Sequence, residues 1–169
     1  MVPGKAMRRR RFALLVLALL MSSCGYSARA LLPSHIKKVY IPTFENETTR
    51  YGIEQSITTS VTDAFVDDGR LSVVSEGEAD AMLRGVIVKY EKGPLTFDRA
   101  QTVDEFKIEL TVAVEFEDLR EGKVLWKEDR FRAWKSYREG ADEGGEDEAL
   151  QAAVATLAED IVSRTVEGW

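Results

Sequence analysis

FKIELTVAVEF, residues 106–116, puts an apolar side chain at every even position and, Ala113 apart, a polar or charged one at every odd position. A period of two belongs to a β-strand, whose side chains alternate between faces; it cannot line one side of a helix. The alternation predicts a strand over Val103–Leu119 with one buried face and one wet face. Val112 should point into the core, and Glu109, Glu115 and Glu117 into water.

Downstream, DLREGK (118–123) carries Gly122 and reads as a tight turn, so Val124–Trp134 should return antiparallel. REGADEGGEDE (138–148) is an acidic, glycine-bearing loop without apolar content to order it. Leu150, Val154, Leu157, Ile161 and Val162 then mark a C-terminal helix ending near Trp169. Upstream, Ala81–Tyr90 reads as a strand broken by Gly93-Pro94, and Leu71–Ser75 as a short one before the turn EGEAD (76–80). Ile53, Ile57, Val61 and Phe65 recur every four residues, an amphipathic helix closed by Gly69. Ile36–Phe44 is the first strand, and Pro42, lacking an N–H, belongs near its end or at a sheet edge.

The order is strand, helix, three or four strands, helix. A strand–helix–strand crossover makes its two strands parallel, and the rest should form an antiparallel meander. Both helices must cover the apolar sheet face, because nothing else in the chain can. The expected fold is an α/β (α+β) two-layer sandwich: a mixed four- to five-stranded sheet, two helices on one face, the other face open.

The N-terminus is of another kind. Arg8–Arg11 precede ten apolar residues, Phe12–Met21, and Ser22 and Ser23 follow them. A bilayer core needs about 20 such residues in a helix. A basic stretch, a short apolar run and a small-residue exit describe an export signal. Met21-Ser22-Ser23-Cys24 is similar to the bacterial lipobox, in which cleavage precedes a cysteine that then carries acyl chains. Acyl burial adds ~0.8 kcal/mol per CH₂, so several chains hold firmly where one holds marginally. Gly25 stands where an aspartate would favour inner-membrane retention. The expected organisation is a signal peptide over 1–23, a lipidated tether over 24–34 and a single domain over 35–169.

Beyond residue 23 the chain carries 18 basic and 29 acidic side chains, a net of −11. Such a field repels nucleic acid. Cys24 is the only cysteine, so no internal disulfide can form, and His35, the only histidine, reads as a solvated linker residue. A Ser-His-Asp triad or His-based metal site is not expected. The carboxylates fall on a wet strand face or in loops rather than as a pair in a pocket, and DEGGEDE (142–148) lacks the ligand spacing of an EF-hand loop. No enzyme, cofactor or metal is expected. Lys127, Arg130, Arg132, Lys135 and Arg138 alternate with Phe131, Trp134 and Tyr137. That pattern suits either a phosphate- and acyl-bearing ligand or an edge strand protected by charge.

CGYS (24–27), IPTFENETTRYGIEQ (41–55), ADAMLRGVIVKY (79–90), the long alternating strand and GKVLWKE (122–128), in that order, resemble the lipopolysaccharide-assembly lipoproteins, the LptE-like family. Similar segments also occur in activators of cell-wall synthases and in secretion-system accessory lipoproteins, the alternative reading; about ten tether residues reach only ~35 Å, short for crossing to a synthase. The resemblance implies a non-enzymatic protein on the periplasmic side of the outer membrane. It would plug an LptD-like β-barrel translocon, help the barrel assemble and bind lipopolysaccharide. By position, Arg99 in TFDRAQT (96–102) and Arg138 in KSYREG (135–140) correspond to the family's basic ligand residues.

Overall fold

The computed structural model describes residues 32–99, 102–138 and 145–168. Its elements run β1 (Lys38–Tyr40), β2 (Glu45–Asn46), α1 (Ile53–Asp68), β3 (Ser72–Val73), a 3-10 turn (Glu76–Glu78), β4 (Ala81–Phe97), β5 (Val103–Asp118), β6 (Lys123–Tyr137) and α2 (Glu146–Val166). The sheet has six strands in the order β3-β1-β4-β5-β6, with β2 also on β4. β1 runs parallel to β3 across the α1 crossover, β1 and β2 run parallel to β4, and β4-β5-β6 form the antiparallel meander.

The alternation in β5 behaves as its sequence dictates. Ile108, Leu110, Val112 and Phe116 are fully buried, and Val114 nearly so. α1 lays Ile53, Ile57, Val61 and Phe65 on this face and α2 adds Leu150, Val154, Leu157 and Ile161, joining one continuous core. Gly69 ends α1 at φ 71, a left-handed conformation cheap only for glycine, and its N–H caps the Phe65 carbonyl. Phe44 lies flat over Gly85 on β4: a Cβ there would stand 2.0 Å from Cε1 of the ring.

Four expectations are corrected. The first strand is two short pieces, because the chain around Pro42 leaves the ladder and re-pairs only at Glu45. Gly93-Pro94 does not break β4, which runs to Phe97 with a register shift between Pro94 and Thr96. The parallel partners β1 and β2 reach only Ile87, so at Pro94 one side of β4 is an edge, where a missing N–H costs little. The acidic stretch 138–148 is not all loop. Glu146, Asp147 and Glu148 form the first turn of α2, where carboxylates meet the positive end of the helix dipole; 139–144 lie outside the described residues.

His35 is no solvated linker residue either. Its Nε2 donates to Asp118 Oδ2 at 2.6 Å, while Oδ1 accepts the backbone N–H groups of Arg120 and Glu121. Burial pushes the Asp118 carboxyl up, and the Glu121, His35 and Arg120 donors more than offset it, leaving it below its ordinary value. Asp118 thereby clamps the start of the domain to the β5–β6 turn. With Glu121 these two place three potential ligand atoms within 4.8 Å of one another. Leu32 also packs against the core.

Candidate functional site

The β4–β5 hairpin is longer than the helices that cover it. From Glu91 to Phe97 no residue of β4 is buried, and Leu95 and Phe97 are exposed apolar side chains near the tip. The tip closes through Asp98, whose N–H donates to the Thr102 carbonyl at 2.8 Å and whose Oδ1 accepts from the Thr102 N–H at 2.9 Å. Arg99 is exposed in this turn. Arg138, just past β6, lies beside the base of the tip, because Tyr137 pairs with Phe106. The fold therefore gathers both arginines at the distal end of the sheet. Arg138 is not bare: Asp104 and Glu105 stand 3.5 and 3.4 Å from its guanidinium.

The basic–aromatic run of β6 is split by the pleat and by a bulge opposite Val112–Val114. Lys127, Arg132 and Trp134 lie on the open face, where Lys127 approaches Glu115 and Lys107 Nζ sits 5.4 Å from the Trp134 ring. Phe131 and Tyr137 face the helices, with Phe131 edge-on to Trp126 and Tyr137 stacked on Phe106. The open face is tiled with ion pairs: Arg84 on β4 bridges Glu115 and Glu117 on β5, and Lys107 meets Glu109 two residues along the same strand. A depression of about 460 Å³ on this side is floored by Met82, Val86 and Ala113 and edged by Tyr40, Arg84 and Lys127.

One constellation escaped the sequence. Past the Val88 bulge the alternation of β4 inverts, and Tyr90 and Lys92 turn to the helix side. There Glu146, the first residue of α2, accepts from the Tyr90 hydroxyl at 2.8 Å and from Lys92 Nζ at 2.7 Å; the Tyr137 hydroxyl and Arg50 Nη1 stand at 3.5 Å. The Lys92 and Tyr90 bonds hold the Glu146 carboxyl below its ordinary value. Burial and the same carboxylate push the Tyr90 phenol up to about 12. The signal that could have found this site is the triplet of acids directly before an apolar helical period. Cys24 lies outside the described residues, and no helix among them is long and apolar enough to cross a membrane.

The model of the LptE lipopolysaccharide-assembly family matches residues 36–165, almost the whole described domain. The chain belongs to the LptE family. No curated protein matches it. Among solved structures, a hypothetical protein from Chlamydia trachomatis superposes with a TM-score of 0.59 at 12% identity, covering 76% of this chain and 95% of that one. The PelC dodecamer from Paraburkholderia phytofirmans gives 0.54 at 15%, covering 81% and 93%. Uncharacterized lipoprotein B from Nitrosomonas europaea gives 0.51 at 20%, covering 85% and 96%. At such identities the likeness is one of fold: this two-layer sandwich recurs among lipoproteins, and the LptE match is what assigns the chain within them.

Proposed function

We propose that this LptE-family lipoprotein works in lipopolysaccharide transport at the periplasmic side of the outer membrane. In this reading residues 1–23 are removed, Cys24 carries the acyl chains, 24–34 form the tether and 35–169 the working domain. The domain plugs an LptD-like β-barrel, assists its assembly and binds lipopolysaccharide through Arg99 and, more weakly, Arg138; it performs no catalysis. The family match over 36–165 carries this reading. Three features support it. The lipobox-like leader ends on the sole cysteine. The ion-paired open face suits a water-filled lumen better than lipid. The hairpin tip offers an arginine beside exposed Leu95 and Phe97, fit for a phosphate next to acyl chains. The synthase-activator alternative draws no support from the family match.

The test is affinity purification of the native protein from detergent-solubilised membranes, with mass spectrometry of whatever co-elutes. An outer-membrane β-barrel at a fixed ratio is expected; a cell-wall synthase in its place overturns the reading. Intact mass should show Cys24 at a new N-terminus bearing acyl chains, and Cys24→Ser should abolish both cleavage and acylation.

A further inference from the structure

Four donors from three segments, the turn before α1, β4 and the end of β6, converge on one carboxylate. Glu146 Oε1 takes the Tyr90 hydroxyl and lies 3.5 Å from Arg50 Nη1, while Arg50 Nη2 donates to the neighbouring Asp147 Oδ1 at 2.7 Å; Glu146 Oε2 takes Lys92 Nζ and lies 3.5 Å from the Tyr137 hydroxyl. Two cations and two phenols around a single acceptor are the donor set that a phosphate monoester recruits: charge-assisted bonds from Lys and Arg, and neutral O–H donors for the remaining oxygens. The ammonium of Lys92 is further held 5.2 and 5.4 Å from the Phe106 and Tyr137 ring centroids, which fixes it in place without consuming its charge. The Lys92 and Arg50 side chains are 36% and 37% exposed, so a ligand can reach both.

We propose that Arg50, Tyr90, Lys92 and Tyr137 form a receptor for a phosphate monoester, and that Glu146 is its resting occupant. A phosphate group reproduces both carboxylate oxygens and adds a third oxygen and up to one more negative charge. A tethered occupant competes at an effective concentration in the millimolar range. Small anions are therefore turned away, and the cradle yields to a ligand with further holds on the protein, such as a phosphorylated glycolipid gripped by its acyl chains. Displacing Glu146 frees the first turn of α2 from the hairpin, so ligand entry is coupled to movement of the helix end. Only the natural source of the phosphate rests on the lipopolysaccharide reading; the receptor itself rests on the four donors.

The test is calorimetric titration of the detergent-solubilised, full mature protein with two probes. One is inorganic phosphate; the other is phosphatidic acid in micelles, with phosphatidylcholine as blank. Glu146→Gln should tighten binding of at least one probe about tenfold over wild type, the effect of losing ~1.4 kcal/mol of competition. Lys92→Gln added to Glu146→Gln should erase that gain, and Glu78→Gln, an exposed acid in the 3-10 turn, should give none. A gain for phosphatidic acid alone identifies a lipid headgroup as the source; a gain for both identifies the phosphate group as sufficient. No gain for either probe, or a gain that survives Lys92→Gln or appears with Glu78→Gln, overturns the proposal. Should Glu146→Gln fail to fold, Lys92→Gln in the otherwise native chain decides: weaker phosphatidic acid binding supports the receptor and unchanged binding overturns it. Co-purification of the barrel is untouched by failure here, so the two readings fail separately.

Discussion

The two faces of β5 are made from one run of residues and do opposite work. Its even positions enter a dry core with α1 and α2, where each side chain is fixed by its neighbours. Its odd positions pair with Arg84 and Lys127 of the neighbouring strands, and Lys107 with Glu109, in exposed or half-buried ion pairs, which exchange readily with water and contribute little each. One face specifies the fold; the other can be rewritten for a partner without unfolding the protein. Substitutions that test this contrast should therefore fall in a steep order.

Val112→Asp should have the largest effect. The side chain is 0% exposed and the charge would find no partner, so a loss of about 4 kcal/mol is expected in denaturant titration. If the substitution is tolerated and Glu115→Val proves the more harmful, the faces are reversed. Gly85→Ala comes next. Its methyl would enter the buried Phe44 ring, and overpacking of this kind costs about 1–3 kcal/mol; combining it with Phe44→Leu should recover part of the loss if that contact is the cause.

Glu146 gives a smaller, pH-dependent effect. Its folded-state pKa is lowered by Lys92 and Tyr90, so its stabilisation is complete at neutral pH. That contribution is lost as pH falls below about 4.3, the usual glutamate value, through the lowered one. Melting curves of Glu146→Gln and wild type should differ near pH 7 and converge in acid; a constant gap across the range would show that the carboxylate charge is not what matters. Arg84→Ala on the open face should change stability least, by about 0.5 kcal/mol or less, despite removing two ion pairs.

The same contrast explains what could be read from the sequence. Burial imposes period, so β5, α1 and α2 were legible from their apolar spacing, as was the turn at Gly122. Polar positions carry no such imprint. Asp118 and His35 are 83 residues apart, and only the return of β5 to the domain's start joins them. Tyr90 and Lys92 reach Glu146 because one bulge at Val88 reverses the facing of β4, a one-residue event with no compositional mark. Pro94 misled for a similar reason: a proline breaks a central strand, and whether this part of β4 is central depends on where β1 and β2 stop. Arg99 and Arg138 were placed by resemblance, and the fold brings them to one end.

In the proposed function this domain holds lipopolysaccharide at that distal end. A pull-down of labelled lipopolysaccharide with the mature protein tests it most directly, comparing wild type with Arg99→Asp, whose exposed position predicts an unchanged melting temperature. Clear retention by wild type is expected, with a marked loss in Arg99→Asp and a lesser one in Arg138→Asp, the barrel still co-purifying. Equal retention by wild type and Arg99→Asp would contradict the ligand site, and no retention by wild type would contradict the claim itself.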